Sequence, residues 1–296
     1  MIDYEAKNWL SVAFRFRGTI GPRLLVRVLI VGAVGLVAAG LNASVGFKIP
    51  PIAHTLIGVA LGLLLVFRTN ASYDRYWEGR KLLGTMVNRS RDIARQVAAF
   101  VRIEGTEAPE VRRAVDDVQR YLSAFFALAV QSLRSQRDLQ ALGDRLTAEE
   151  RALLEPKKVR APVVAAFISK RIEELVRRGA LAPHHVLLLD PNVTALVDAL
   201  GGCERIVRTP MPFAYAQHIK LAVLLFTVTV PFAMADATRW YTPVASAVLA
   251  FALIGIDEIG VEIEDPFGDD PNDLPIDRLA ETIATSAEDI LHTRAL

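Results

Sequence analysis

The sequence predicts an all-α, polytopic membrane protein with four transmembrane helices per subunit and a large cytosolic helical bundle. Three observations predict it. Four stretches are almost free of charge, most charged residues crowd between the second and the third of them, and that crowded segment has helical rather than strand periodicity.

Whole-chain averages conceal this division. The chain has 296 residues, 34 Lys+Arg against 33 Asp+Glu, and 52% hydrophobic residues. Such values resemble a soluble protein's and exclude only disorder, collagen-like repeats and a disulfide scaffold. A net charge of +1 argues against nucleic acid as a partner, which expects a basic domain. The mean hydropathy of +0.30 is the discordant value. It marks two unlike kinds of segment averaged together. The single cysteine, Cys203, has no partner for an intrachain disulfide and reads as a small packing residue. Asp3 and Glu5 lie ahead of the first apolar run, so no secretory signal is expected.

Residues 24–41 read LLVRVLIVGAVGLVAAGL, with Arg27 the only charge, and residues 50–67 read PPIAHTLIGVALGLLLVF, with no acid, Lys or Arg. At 1.5 Å per residue, about 20 such residues cover a hydrocarbon core of roughly 30 Å. Two runs separated only by residues 42–49 predict a membrane hairpin. Residues 219–235 and 241–256 repeat the pattern around a short turn at 236–240, where Trp240 and Tyr241 suit an interfacial aromatic belt. Arg15, Arg17, Arg23 and Arg27 precede the first span. Arg68, Arg75, Arg80, Lys81, Arg89 and Arg91 follow the second, whereas the loop between them has only Lys48. The positive-inside rule then places both flanks, and with an even number of spans both termini, in the cytoplasm.

The body, about 68–210 and 262–296, is expected to be helical and continuous with the spans as one domain, 1–296. Ile93, Val97 and Val101 recur at i, i+4, i+8, and Val115, Val118, Leu122, Phe125 and Phe126 form a broad apolar face. Thr147 and Glu150 have capping-box spacing. Pro162 and Gly179 bracket a helix with proline near its start and glycine past its end. A last amphipathic helix is expected over 275–292.

Enzyme signatures are missing: the sequence has no G-x-S-x-G, P-loop lysine motif or H-E-x-x-H. His184 and His185 are adjacent, unlike an i, i+4 metal pair, and His54 stands alone in an apolar span as a packed or interfacial residue. No cofactor, catalytic residue or metal site is expected.

Three segments are dense in mixed polar and aromatic groups: 67–81, 210–220 and 256–275. The first reads either as a snorkelling basic flank or as an interlocked, buried polar joint. Together they resemble the bestrophin family of ion channels, its bacterial members most closely. RTNASYDRYWEGRK at 68–81, PFAYAQH at 212–218 and EIGVEIEDPFGDDPNDLP at 258–275 carry the likeness, in the family's order and position relative to the spans. The signature residues are Arg68, Asn70, Tyr73, Asp74, Arg75 and Trp77 at the joint, then Pro212, Tyr215 and His218 at the third span. Glu258, Glu262, Glu264, Asp265, Asp269, Asp270 and Asp273 form the acidic loop.

The resemblance implies a homopentamer in the cell (inner) membrane, with the second span lining one axial pore. Ile52, Leu56, Ala60 and Leu64, counted back from Arg68 at four-residue steps, are the expected neck, and apolar rings of this kind gate by dewetting. Gly58 and Gly62 form a G-x-x-x-G on another stripe, a helix-packing face. The family implies passage of small ions, chloride first. A sodium-selective channel of the same fold and a membrane-anchored, non-conducting scaffold stand as alternatives. Pro271 and Asn272 interrupt the acidic run that clasps calcium in animal bestrophins, so its carboxylates are expected to pair with basic residues of the helical body instead.

Overall fold

A computed structural model describes residues 7–15, 18–103 and 108–293. Asp3, Glu5 and Arg17, invoked above, lie outside the described residues. Among the described residues there is no strand. The helices are α1 (Trp9–Ala13), α2 (Gly21–Val45), α3 (Pro51–Phe100), α4 (Ala108–Leu133), α5 (Ala148–Leu154), α6 (Arg160–Arg177), α7 (Val186–Arg208), α8 (Phe213–Thr238), α9 (Thr242–Glu262) and α10 (Ile276–His292).

Packing groups the chain into two compact units. One holds residues 1–76 with Pro210–Pro266 and Asp270–Asn272; the other holds Trp77–Thr209 with Phe267–Asp269 and Asp273–Leu296. The boundary at Tyr76 falls inside α3, within the first signature segment. No Pro- or Gly-rich linker marks it, which is why the sequence reads as continuous.

In the first unit α2 lies along both α9 and α8, and α8 and α9 form a hairpin. Contacts between these helices use small residues. A Cβ on Gly35 of α2 would stand 2.9 Å from Pro243 Cα and 3.1 Å from the Thr242 carbonyl, so only glycine lets the two backbones approach this closely. Gly46 ends α2 at φ 69, a left-handed cap that satisfies the Asn42 and Leu41 carbonyls. Helix α8 runs past the expected turn, keeping Asp236 and Thr238 helical, and the chain reverses at Arg239, φ 48. Large apolar side chains, among them Leu29, Leu36, Leu225, Val248 and Phe251, face outward. An apolar exterior of this extent is unsuited to water and suits a bilayer.

By length and composition four helical stretches are fit to span: Gly21–Val45, Pro51–Phe100, Pro183–Arg208 and Phe213–Glu262. The last contains the hairpin of α8 and α9, hence two of the expected spans. Pro183–Arg208 was not expected and is the least apolar of the four. It belongs to the second unit, where Leu189, Val193, Leu196, Leu200 and Cys203 face its core while Asp190, Asp198, Arg205 and Arg208 are exposed. Its apolarity is the buried half of an amphipathic helix.

The second unit is organised as a soluble core. Phe125 and Phe126 of α4 are buried against α6, which contributes Val164, Ile168 and Ile172, and α10 packs on α4 with Ile283 and Ala287. Ile93, Val97 and Val101 are buried as their spacing predicts. The capping box forms: the Thr147 amide donates to Glu150 Oε2 at 2.8 Å and the Glu150 amide to Thr147 Oγ1 at 3.2 Å. Gly179 follows α6 at φ 70.

Candidate functional site: the second span and its polar joint

Within the first unit, α3 presents two unlike faces. On one, Leu61 and Leu65 are buried against Ile219, Val223, Phe226 and Val230 of α8. Gly58 belongs to this face, since a Cβ there would approach the Phe226 ring to 3.3 Å, but Gly62 has nothing within 4 Å. Only half of the expected G-x-x-x-G is therefore a packing contact within the chain. His54 also turns to α8, its Nε2 lying 3.0 Å from Thr229 Oγ1.

The opposite face is bare. Ile52 is 71% and Leu56 68% exposed, and Ala60 is exposed with them. Leu64, the fourth residue of the expected stripe, is half-buried and packs against the cluster around Leu61. The helical pitch explains this. A four-residue step overshoots a full turn by about 40°, so three steps carry Leu64 about 120° round from Ile52. Asn70 and Asp74 continue the exposed face beyond the span.

The apolar segment ends on Arg68, which is 2% exposed and forms an ion pair with Asp257 of α9. Lys220 reaches the same carboxylate at 3.4 Å and Glu264 stands 4.0 Å from the guanidinium. A charge at this depth is tolerable only when paired. Gly260 lies against the Arg68 side chain, where a Cβ would make ordinary contact with Nε at 3.5 Å. Two turns further on, Arg75 Nε donates to the Glu264 carbonyl at 3.2 Å and the Tyr76 hydroxyl to the Asn272 carbonyl at 3.4 Å. The Met211 amide donates to Glu264 Oε1 at 3.0 Å, which brings the second signature to the third.

The joint therefore forms, but with fewer of the predicted residues. Arg68 and Arg75 enter it; Asn70, Tyr73, Asp74 and Trp77 are exposed. Pro212 is the N-cap of α8, Tyr215 packs against the Leu61 cluster and His218 is exposed. Asp257 was passed over, although an acid at the end of an apolar span calls for a cation and Arg68 ends its own span at the same level.

The acidic loop pairs differently from expectation. Glu258 takes Arg27 at 2.8 Å, Glu262 takes Arg23 at 2.5 Å, and Asp270 lies 3.5 Å from Arg23. Their partners are the basic flank of the first span, not the helical body, because Glu258 and Glu262 lie in the last turns of α9, which lies along α2. Asp269 meets Arg134 of α4 at 2.9 Å, where Asp277 joins at 2.9 Å. Asp265 is exposed, while Asp273 is buried over Gly268, where a Cβ would collide with its Oδ2 at 2.7 Å. Among the described residues no three His, Cys, Asp or Glu side chains converge as metal ligands.

A second charged knot lies well outside the spans. The Tyr121 hydroxyl donates to Glu150 Oε1 at 2.5 Å, with Arg120, Asp117 and Arg171 around it. Burial, reinforced by the bond to Glu150, pushes the Tyr121 hydroxyl up to about 12. Burial works to raise Glu150, but the bonds from Tyr121 and the Thr147 amide, with Arg120, outweigh it and hold the carboxyl below its ordinary value.

These features define a helical membrane protein whose second span has one face fastened to its own subunit and one apolar face left open. The chain belongs to the bestrophin family: the family described as Bacterial/Fungal Bestrophin protein matches residues 1–289. It is 35% identical over 285 residues to voltage-dependent anion channel-forming protein alr2987 of Nostoc sp., covering 96% of this chain and 92% of that one. It is 34% identical, over the same shares, to voltage-dependent anion channel-forming protein sll1024 of Synechocystis sp.. A crystal structure of a bacterial bestrophin homologue from Klebsiella pneumoniae superposes with a TM-score of 0.81 at 29% identity, covering 93% of this chain and 99% of that one.

Proposed function

We propose that this chain is one subunit of a homopentameric channel of the cell (inner) membrane that passes small anions, chloride preferred, along the five-fold axis. The observation that carries the reading is the open apolar face of α3, in a chain whose relatives are named anion channel-forming proteins. Five copies of Ile52, Leu56 and Ala60 line a narrow, dry neck, with Leu64 at its inner end turned partly into the subunit wall. The exposed Asn70, Tyr73, Asp74 and Trp77 meet neighbouring copies below it. The second unit is the cytosolic body, and both termini are cytoplasmic. The partners are further copies of the chain, the bilayer and the permeating ions.

Conduction follows from physical properties of such a neck. Apolar rings bind no ion tightly, so flux is passive and limited by wetting. Truncating a ring widens and wets the constriction. The test is the reversal potential of reconstituted protein in asymmetric NaCl, measured for the parent, Ile52→Ala and Leu56→Ala. Current whose sign tracks chloride, with conductance raised in both variants, is expected. A sign tracking sodium would replace the anion reading by a cation channel of the same fold. Absence of current in every variant would favour a non-conducting scaffold, and variants that conduct like the parent would remove Ile52 and Leu56 from the neck. A native mass other than a pentamer's would overturn the assembly.

A further inference from the structure

In the first unit, a cavity of about 280 Å³ lies between α2, α8 and α9 at the level of the polar joint. Arg27, Lys220 and Asp257 form one end of its lining. The rest is apolar. Ile30 and Val31 stand one turn deeper on α2, Ile254 one turn deeper on α9, and Val223, Leu224 and Val228 line the α8 side. From Lys220 to Val228 the wall descends about 12 Å into the span. Thr227, the polar residue at depth, commits its hydroxyl to the Val223 and Leu224 carbonyls at 2.7 and 3.1 Å. The cavity therefore has a charged mouth and an apolar interior, the division of an amphiphile.

Charge at the mouth is unbalanced. Asp257 forms its ion pair with the buried Arg68, and Lys220 reaches the same carboxylate only at 3.4 Å and stays half exposed. Arg27 meets Glu258 through Nη1 at 2.8 Å and is also half exposed, although a guanidinium has five donors. Arg27, Arg68 and Lys220 thus share the two carboxylates of Asp257 and Glu258, which leaves one positive charge in excess. Glu264, 4.0 Å from Arg68, takes the Met211 amide and does not line the cavity.

The cavity opens sideways. Ile30 and Leu224 on its rim are exposed. Its described lining comes from α2, α8 and α9 and not from α3, whose open face carries the proposed neck. Resting on that reading of the pore, the mouth looks away from the axis and toward the bilayer. We infer that the cavity holds one anionic phospholipid of the cytoplasmic leaflet. Its phosphodiester accepts from Lys220 and Arg27, and the start of an acyl chain lies along Val31, Val223 and Val228. Basic pockets between spans on the cytoplasmic side suit such headgroups. Free phosphate would leave the apolar half unfilled, and Asp257 in the wall disfavours a second negative charge, so a singly charged phosphodiester fits best.

The test is native mass spectrometry of the full-length protein in detergent, with phosphatidylglycerol or phosphatidylethanolamine added in equal amounts. Phosphatidylglycerol should be retained about fivefold more tightly, the effect of one charge. Lys220→Gln should weaken its retention about fivefold, and because Asp257 keeps Arg68 the joint stands. Val228→Trp fills the apolar half with every charge in place and should weaken retention about tenfold, equivalent to about two buried methylenes. Lys48→Gln, a cation at the opposite end of the spans paired with Asp236, should change nothing. Equal retention of the two lipids would overturn the inference. So would undiminished phosphatidylglycerol binding in either cavity variant, because the lipid would then sit elsewhere or be drawn by surface charge alone. Oligomers that retain neither lipid would put a neighbouring copy over the cavity in its place. Protein that retains the lipid but passes no current would fail the channel reading alone.

Discussion

The face that α9 buries is made of Thr242, Ser246, Ala250, Gly255, Asp257, Glu258 and Gly260. The face that α4 buries includes Tyr121, Leu122, Phe125, Phe126 and Leu128. One helix hides small and charged residues and shows its large apolar ones, as Val244, Val248 and Phe251 do; the other does the reverse. The difference follows from the medium. Where the surroundings are as apolar as leucine, large side chains gain nothing by turning inward, and close backbone approach with paired polar groups holds the helices together. In water, removing large apolar surface is the main driving force.

This contrast can be broken by mutation, and the largest effect is expected at Arg68. Arg68→Ala leaves Asp257 buried beside a single half-exposed Lys220 and should cost about 3–5 kcal/mol, read as loss of the monodisperse folded species in detergent. The double change Arg68→Met with Asp257→Leu should recover much of that loss, since a buried ion pair is replaceable by apolar packing. Glu173→Ala in the second unit, removing the exposed pair with Arg177 at 3.7 Å, should cost less than about 1 kcal/mol. Equal losses at the two sites would contradict the account of the two interiors.

Next in size is Gly35→Val, which forces α2 away from Pro243 and should lower stability by about 1–3 kcal/mol through overpacking, measured as a drop in thermal midpoint. An unchanged midpoint would mean that the α2–α9 contact is looser than its geometry. In the second unit Thr147→Ala removes the cap of α5 and should cost about 0.5–2 kcal/mol.

The smallest effect is a pH dependence at Glu150. Because its carboxyl is held below the ordinary value, it stabilises the fold above about pH 4.5, and that contribution disappears as pH falls through its lower folded value. The stability gap between the parent and Glu150→Gln should therefore be full at neutral pH and shrink on acidification. A gap that persisted at pH 3 would remove the ionised carboxylate as its source.

The elements were legible because each advertises itself locally: the charge-free runs, the Thr147–Glu150 box, and the proline and glycine around α6. Partnerships were less so. Arg23 and Arg27 read as a basic flank, and nothing in their neighbourhood names Glu262 and Glu258, which lie at the far end of the chain. Leu64 turns partly toward α8 because steps of four residues drift round a helix of 3.6. The unit boundary was invisible because it cuts a helix instead of a linker.

The polar joint has a consequence for biosynthesis. Arg23 meets Glu262 across 239 residues of chain, Arg27 meets Glu258 across 231, and Arg68 meets Asp257 across 189. The cations leave the ribosome first, and at about 5–20 residues per second the matching carboxylates follow roughly ten to fifty seconds later. Through that interval Arg23, Arg27 and Arg68 stand without these carboxylates. Closure of the joint is thus a late event. A nascent chain that stops short of α9 keeps three cations without their carboxylates, a state that membrane quality control can distinguish from a finished subunit.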